Sequence, residues 1–434
     1  MTGGGSSIDD VFRLRRIPPI EAATLERDPL DPEARAAAAA ILDDIRRQGV
    51  TAVLDHGRRL GDLGPDDPLV IPAASLSAAC IRVDGAHLKL LERTAGRIRR
   101  FAECQLDALR PVAVDVQGGR AGHRLVPVAR AGCYAPGGRY PLPSTVLMTT
   151  VTARVAGVAE VWVASPKPSP LMLAAASVAG ADAVLAVGGA QAIGALAYGA
   201  GPVPACDVVA GPGNRWVTAA KALISPQVRI DLLAGPSELL ILADGDADPA
   251  MVAADLAAQA EHDADAVSVL VSTSASLIDD VEGALAGQLT GLPTGPVARE
   301  SLQHAVAICA SDMAEAIAVS NQIAPEHLQL HVTDADTVAG SLSNFGALFV
   351  GAQSAHVFGD YGAGPNHVLP TGGSARTHSG LSVLSFLRTM TWLRLTPDSG
   401  FDQLAADAAC LARLEGLEAH ARAVEMRSAP RCRP

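Results

Sequence analysis

The sequence is poor in aromatic residues, in long apolar segments and in positive charge. Aromatic residues make up 3% of its 434 residues although 49% are hydrophobic, so alanine, valine and leucine must fill the interior, as in helices packed on buried strands. No run of about 18 apolar residues is free of charge and turn signals, which argues against a membrane-spanning helix. The net charge of −12 argues against nucleic acid as a partner, since phosphate contacts need clustered lysine and arginine.

Paired cysteines are also missing. The seven cysteines are scattered along the chain without a C-x-x-C motif, so neither a disulfide framework nor a thiolate metal site is indicated. The polar, glycine-rich residues 1–10 do not resemble a secretion signal. We therefore expect reduced cysteines, no membrane partner and a cytoplasmic protein.

The apolar pattern changes along the chain. Residues 31–124 have helical spacing, whereas from 125 to 375 short apolar runs bounded by glycine and proline alternate with helical segments. Apolar runs without polar alternation are typical of parallel strands that are buried on both faces. The runs are Val158–Ala164, Ala183–Val187, Asp207–Ala210, Leu239–Ala243, Val267–Ser272 and Ala347–Val350.

This pattern predicts an α/β protein with two Rossmann-like, doubly wound parallel-sheet domains and helical segments before and after them. A chain of this length is expected to form several domains, because single cores rarely exceed about 300 residues. The predicted parts are an N-terminal arm at 1–30, a helical region at 31–124, Rossmann-like domains at 125–230 and 231–375, and a helical C-terminal region at 376–434.

Two short motifs contain groups suited to metal binding or proton transfer. Gln259 and His262 are three residues apart in a helical stretch, so both could reach one ion, although a surface helix would show the same spacing. Glu326 and His327 follow Pro325, which ends a helix, and precede a strand-like segment. A carboxylate beside an imidazole supplies two proton-transfer groups, and a solvated turn is the alternative.

Two further segments contain ionisable residues. The glycine-rich loop 359–367 could hold Asp360 and His367 toward one cleft, and a purely structural turn would explain its glycines but not both ionisable residues. Near the C-terminus, the segment from Glu415 to His420 closes a helical pattern. An imidazole at the end of a helix is favoured by the helix dipole even without a function.

Glycine-rich turns follow two of the predicted strands. Gly188-Gly189-Ala190-Gln191 and Gly211-Pro212-Gly213-Asn214 each place small residues where a strand ends and a helix begins. Backbone N–H groups in such turns can bind phosphate. Neither turn is a G-x-G-x-x-G motif, so spacing alone leaves the cofactor undecided.

These motifs and their neighbours keep one order over residues 30–425. The segments are Gly132–Arg139, Pro143–Met148, Gly188–Ile193, Gly211–Asn214, Ala234–Glu238, Gln259–His262, Pro325–His327 and Asn366–Thr371. In identity and order they resemble the histidinol dehydrogenase family.

The resemblance implies one zinc ion per subunit in an intertwined homodimer with shared active sites. Its ligands would be Gln259, His262 and Asp360 of one subunit and His420 of the other. Glu326 and His327 would form the catalytic acid/base pair.

The resemblance also implies binding residues for a small-molecule substrate and for NAD. The substrate would contact Ser237, His327, His367, Glu415 and the zinc ligands Gln259, His262, Asp360 and His420. The dinucleotide would lie in the 125–230 domain, near Tyr134, Gln191 and Asn214.

The implied reaction is the zinc-dependent, NAD-linked four-electron oxidation of L-histidinol to L-histidine through L-histidinaldehyde, the last steps of histidine biosynthesis. Sulfopropanediol dehydrogenases have similar zinc and Glu-His motifs, so a sulfonated diol or another amino alcohol stays an alternative substrate. Glu415 suits a cationic substrate, whereas a sulfonate needs arginine or lysine.

A zinc- and dinucleotide-binding protein without catalysis is a further hypothesis. His356 and His378 are expected to be surface or packing residues.

Overall fold

A computed structural model describes residues 12–25, 31–137, 141–396 and 400–428. Contacts divide the chain into two compact units. The first unit contains the described residues up to Cys104 together with Val128–Phe386, and the second contains Gln105–Pro127 together with the described residues from Leu387 onward. In these ranges, no helix combines the length and the apolar character that crossing a membrane requires.

The secondary structure alternates strands and helices through most of the first unit. The strands are β1 (Arg15–Ile17), β2 (Val70–Pro72), β3 (Val112–Val116), β4 (Gly119–Pro127), β5 (Arg130–Tyr134), β6 (Glu160–Ala164), β7 (Ala183–Leu185), β8 (Val208–Ala210), β9 (Arg229–Ile230), β10 (Glu238–Ala243), β11 (Val267–Ser272), β12 (Val306–Cys309), β13 (His327–His331), β14 (Ala347–Phe349) and β15 (Leu387–Leu395). The helices are α1 (Pro32–Gln48), α2 (Val50–Arg59), α3 (Ala73–Cys80), α4 (Gly85–Asp107), α5 (Pro143–Val155), α6 (Pro170–Ala179), α7 (Gly189–Tyr198), α8 (Arg215–Ile224), α9 (Pro249–Ala260), α10 (Ala275–Gln288), α11 (Gly295–Leu302), α12 (Met313–Ile323), α13 (Ala335–Gly340), α14 (His356–Asp360), α15 (Phe401–Leu414) and α16 (Glu418–Ser428).

Helix α1 shows why the N-terminal region is helical. The Asp31 side chain accepts hydrogen bonds from the N–H groups of Glu33 and Ala34 and thereby caps the first turn. Buried residues recur at helical spacing, from Ala34 to Ile45, and pack on the first large sheet. Gly49, with φ of 59°, ends the helix in the left-handed region that suits glycine.

The first large sheet has the strand order β2-β7-β6-β5-β8-β9 and is parallel except for β2. Tyr134 at the end of β5 pairs with Ala164, and Cys133 pairs with Ala210. The carboxyl ends of these strands therefore meet at one edge. The turns after β7 and β8, which contain Gly188 and Gly211, start from that edge.

The second large sheet has the order β1-β12-β11-β10-β13-β14 and is parallel throughout. Leu239 and Ile241 of β10 pack with α9 and α10, whereas Leu240 and Leu242 pack on the opposite face with α12. Alternate residues of one strand thus bury themselves against helices on both faces. The prediction of a mixed α/β protein with buried parallel strands is confirmed.

Some local predictions differ from the structure near the N-terminus. Residues 15–17 of the predicted arm form β1, which pairs with β12 at the edge of the second sheet. Strand β3 lies inside the predicted helical region 31–124. Residues 1–11 and 26–30 of the arm lie outside the described residues. The domain bounds themselves remain a prediction.

The second unit contains an antiparallel sheet of order β15-β4-β3. The prediction of a helical C-terminal region at 376–434 is wrong for Leu387–Leu395, because this segment pairs along its whole length with β4. The helical pattern that was predicted to close at Glu415–His420 is two helices in the structure. Gly416, with φ of 80°, separates α15 from α16. His420 therefore lies in the first turn of α16 and not at a helix C-terminus.

Candidate active site

The Glu326–His327 pair lies at the amino end of β13. Helix α12 ends at Ala324, whose φ of 51° is unusual for a residue with a side chain. Pro325 then prevents the helix from continuing, so the chain turns directly into the strand. Leu239 pairs with His327 across the sheet, which places the start of β10 beside the pair.

Glu326 is buried and hydrogen-bonded through one oxygen. Its Oε2 accepts a hydrogen bond from the Ser237 hydroxyl at 2.9 Å and another from the Glu238 N–H at 2.8 Å. Ser237 thus lies beside the carboxylate, and its predicted contact with the substrate stays a prediction. These contacts fix the carboxylate and leave its other oxygen for a proton-transfer role.

His327 is held in one orientation by the neighbouring strand. Its Nδ1 lies 3.0 Å from the Glu238 carbonyl oxygen, which can only accept, so Nδ1 has the proton. Its Nε2 lies 3.6 Å from Oδ1 of Asp360. Burial opposes the charged form, but the carboxylates of Glu326 and Asp360 outweigh it and hold the pKa of His327 well above its usual value.

Asp360 lies between two imidazoles. Besides His327, it faces His262, whose Nε2 is 3.7 Å from Oδ2. Asp360 itself is buried, which raises its pKa, yet the two imidazoles outweigh burial and hold the pKa of this carboxyl well below its usual range. The Asp360 carboxylate, in turn, raises the pKa of His262.

The Gln259 side chain, three residues before His262, has no protein partner. It is fully buried, and in the described part of the chain neither its Oε1 nor its Nε2 has a hydrogen-bond partner. Oδ2 of Asp360 likewise has none. Unpartnered buried polar atoms are costly, so both side chains have hydrogen-bonding or ligating capacity left for a bound group.

The unpartnered atoms fit a divalent cation. A carboxylate oxygen and an imidazole nitrogen are ordinary zinc ligands, and an amide oxygen is an unusual one that offers the same type of oxygen donor. Among the described residues there is no group of three or more histidine, cysteine, aspartate or glutamate side chains arranged for a metal. One chain would supply only His262 and Asp360 of these types, so this result does not test the predicted ligand set.

His367 anchors the Asp360 loop. Its Nδ1 donates to the Asp360 carbonyl oxygen at 2.9 Å, so its Nε2 can accept from the Thr145 hydroxyl at 3.1 Å. Burial lowers the pKa of His367 and keeps the ring neutral, as this pattern requires.

A cavity of about 980 Å³ joins His262 to the predicted dinucleotide residues. Tyr134, Gln191 and Asn214 all line it. The Tyr134 hydroxyl accepts from the Gly189 N–H at 3.2 Å, and burial raises the pKa of Tyr134 to about 12, so the phenol is neutral. Asn214 caps α8 through the N–H groups of Trp216 and Val217.

An acidic side chain occupies the turn after β7. Oδ2 of Asp62 accepts from the Gly188 N–H and from the Gln191 amide, each at 2.9 Å. With Gly189 donating to Tyr134, the backbone N–H groups of Gly188 and Gly189 both have partners already. This turn therefore differs from a standard phosphate-binding turn, as its incomplete glycine motif indicates.

The remaining predicted residues belong to the second unit. Glu415 ends α15, His420 lies in α16, and both side chains are exposed. Their roles in the site stay predictions.

Sequence reasoning missed a buried polar group beside the site. Gln329 and His331 follow His327 on the same face of β13, and both contact Asp255 of α9. His356, expected at the surface or in packing, is fully buried and contacts Gln329. The sequence signal that could have revealed this group is the alternation His-Leu-Gln-Leu-His in a strand of an otherwise apolar sheet.

The chain matches known proteins over nearly its whole length. The family model described as histidinol dehydrogenase matches residues 26–428. Histidinol dehydrogenase of Methylococcus capsulatus is 43% identical over 395 residues, which cover 89% of this chain and 90% of that protein. The enzyme of Thermus thermophilus is 43% identical over 399 residues, covering 92% and 95% of the two chains.

Structural comparison gives the same result. The crystal structure of histidinol dehydrogenase from Elizabethkingia anophelis superposes with a TM-score of 0.89 at 30% identity and covers 96% of this chain and 98% of that one. Family model, sequence relatives and fold thus agree. The chain is an oxidoreductase and belongs to the histidinol dehydrogenase family.

Proposed function

We propose that the chain oxidises L-histidinol to L-histidine through L-histidinaldehyde, with NAD as hydride acceptor and one zinc ion per subunit. The observations that support this best are the unpartnered buried amide of Gln259 and the unpartnered Oδ2 of Asp360, a carboxylate whose Oδ1 lies 3.6 Å from Nε2 of His327. Residues 125–230 would bind the dinucleotide, and residues 231–375 would supply zinc ligands and acid/base groups.

The proposed zinc ligands are Gln259, His262, Asp360 and the partner subunit's His420. When bound, zinc supplies an orienting contact for the imidazole and amine nitrogens of the substrate. The carboxylate of Asp360, once engaged by a cation, would raise the pKa of His327 less strongly. His327 would then return toward the neutral form that a base requires.

His327 is the proposed base for the first oxidation. Its Nδ1 proton is used in the bond to Glu238, so Nε2 has the lone pair that takes the hydroxyl proton. As that proton leaves, the carbon–hydrogen bond breaks and its electron pair departs as hydride, which bound NAD accepts. The product is the aldehyde.

Glu326 is the proposed base for the second oxidation. It would take a proton from water as the water oxygen bonds to the aldehyde carbon. The resulting hydrate would then lose a hydroxyl proton and a hydride, with a second NAD as the hydride acceptor, to give the acid. Ser237 and the Glu238 N–H hold Glu326 in place for this step. Keeping the aldehyde bound between the two steps protects a reactive intermediate from solvent.

The charges near the site favour a cationic substrate over a sulfonated diol. Glu326 and Asp360 lie at the proposed reaction centre, and Asp62, Glu261 and Asp263 line the adjoining cavity; among the described lining residues, Arg59 supplies the guanidinium. A sulfonate would require arginine or lysine at the reacting end.

The homodimer is part of the proposal, because the fourth zinc ligand would come from another subunit. The second unit exposes many apolar side chains, as expected of a surface that a partner covers. These are Val112, Val114, Val116, Met390, Trp392, Leu393, Leu395, Leu411, Leu414 and Leu417.

The six described cysteines are free, which supports the proposed cytoplasmic location.

The test is a substrate panel on the purified protein. Zinc content is measured first, and NADH formation is then followed with histidinol, another amino alcohol and a sulfonated diol, with metal-stripped protein as control. We expect two NADH per histidinol and none from the diol. Turnover of the diol alone would replace the substrate assignment. Zinc binding with no turnover of any substrate would favour a protein that binds without catalysis.

The shared site is tested with hybrid dimers. Gln259→Ala and His420→Ala variants, each inactive alone, are coexpressed so that subunits pair at random. If His420 acts across the interface, hybrids contain one intact site, and activity recovers to about a quarter of wild type. No recovery despite verified hybrid formation would show that His420 does not serve the partner's site.

A further inference from the structure

A row of buried polar side chains continues from His327 along β13. Leu328 and Leu330 pack into the apolar layer on one face of this strand. His327, Gln329 and His331 alternate with them on the other face and are at most 3% exposed. Burying so many polar groups costs free energy unless each of them is hydrogen-bonded.

The Gln329 side chain lies at the centre of this row. Its Oε1 accepts from the backbone N–H of His356 at 3.1 Å, while its Nε2 donates to Oδ2 of Asp255 at 2.5 Å. Nε2 also lies 2.6 Å from Nε2 of His331. Because a backbone N–H can only donate and a carboxylate can only accept, the amide has one permitted orientation.

These bonds join the three elements on which the proposed site depends. His356 is the first residue of α14, which ends at Asp360. Asp255 lies four residues before Gln259 in α9. Gln329 itself lies two residues after His327 in β13.

The spacing of α9 matches that of β13. Four helical residues advance about 6 Å, and two strand residues advance about 6.6 Å. Helix α9 follows β10, which is parallel to β13, and packs back along the sheet. The Asp255–Gln329 bond therefore sets Gln259 level with His327.

We propose that Gln329 is a positioning residue that sets the spacing of Gln259, Asp360 and His327 and so tunes zinc affinity. This inference rests on the proposed zinc site. Gln329 acts through the elements it joins and does not itself touch the metal or the substrate.

The donor and acceptor pattern of the Asp255–Gln329 pair provides a sharp test. Gln329→Glu places two carboxylates at the 2.5 Å contact, and their repulsion moves α9 from β13. Gln329→Met leaves Asp255 without its amide donor. The double variant Asp255→Asn with Gln329→Glu restores one amide and one carboxylate. In the double variant the amide is on α9 and donates to the carboxylate on β13. His331 can change its tautomer to match the exchanged donor and acceptor.

The measurement is zinc affinity by competition with a chromophoric chelator, on dimeric protein whose folding is checked by thermal unfolding without metal. Gln303→Glu, at an exposed position, controls for the added charge. We expect zinc affinity to fall about 10- to 100-fold in Gln329→Glu and Gln329→Met. The double variant should recover to within a few-fold of wild type.

Two results would overturn the inference. One is wild-type zinc affinity in a folded Gln329 single variant, and the other is a double variant that folds normally but binds zinc as weakly as Gln329→Glu. Should Gln329→Glu fail to fold, Gln329→Met and the double variant decide by the same criteria. A wild-type protein that neither binds zinc nor oxidises histidinol would instead contradict the proposed function.

Discussion

The two six-stranded sheets of the first unit present opposite ends to their functional groups. In the first sheet, Tyr134 and the turns containing Gly188 and Gly211 lie at the carboxyl ends of the strands, where open α/β sheets usually bind ligands. In the second, Ser237 and the Glu326–His327 pair lie at the amino ends of β10 and β13. Topology alone would therefore have pointed to the wrong edge of the second sheet.

The two edges also differ in chemistry. The first is lined mainly by glycine, proline and neutral amide or hydroxyl groups, which suit a large cofactor bound by shape. The second concentrates buried ionisable groups whose pKa values are strongly shifted, as in catalytic centres. We infer that the first sheet binds the cofactor while the second performs the chemistry, and the predictions below test this separation.

Replacing the proposed base should have the largest effect. His327→Asn removes the titratable nitrogen, so we expect kcat for histidinol to fall about 100- to 10,000-fold. NAD affinity should not change, because Tyr134 and Gln191 belong to the other sheet. NADH formation gives kcat, and quenching of Trp216, which lines the cavity, gives NAD affinity. The exposed His378 provides the control His378→Asn, and a parallel loss of NAD affinity would break the proposed separation.

Removing the second base should affect one step only. In Glu326→Gln the amide oxygen can still accept from Ser237 and the Glu238 N–H, so the site keeps its shape. We expect the first hydride transfer to persist and aldehyde oxidation to fall about 100-fold or more. Single-turnover NADH yield and trapping of the aldehyde separate the steps, with Glu300→Gln as an exposed control. Equal loss in both steps would refute separate roles for Glu326 and His327.

A change at the first sheet should be smaller and of another kind. Tyr134→Phe removes the acceptor of the Gly189 N–H, a net loss of about 1 kcal/mol. We expect KM for NAD to rise about 2- to 10-fold with kcat nearly unchanged. Tyr198→Phe is the matched control, since its hydroxyl bonds to Arg46 outside the cavity lining. A drop in kcat without a change in KM would contradict a purely binding role.

Much of the fold could be predicted from local patterns. The run Leu239–Ala243 forms a buried parallel strand because an uninterrupted apolar segment can bury both of its faces only inside a sheet covered on both sides. Leu387–Leu395 could not be predicted in this way. Its partner β4 lies more than 250 residues earlier in the chain, and nothing local reveals a strand whose partner is so remote.

The residues of the candidate site likewise fall into those that local sequence patterns indicate and those that they do not. Glu326, His327, Gln259, His262 and Asp360 could be named as candidates because they stand in short motifs of residue types suited to the chemistry, in segments that resemble the family. Gln329, Asp255 and His356 could not, since a glutamine in a strand becomes informative only when its contacts are known.

The sequence by itself determined the buried strands, the family and the residue types available for chemistry, because these depend on composition and on neighbours in the chain. Only the tertiary structure decided that the amino edge of β13 faces Asp360 and that one glutamine ties three distant elements together. The physical reason is that hydrogen bonds and ion pairs act over a few ångströms of space, whatever the distance along the chain.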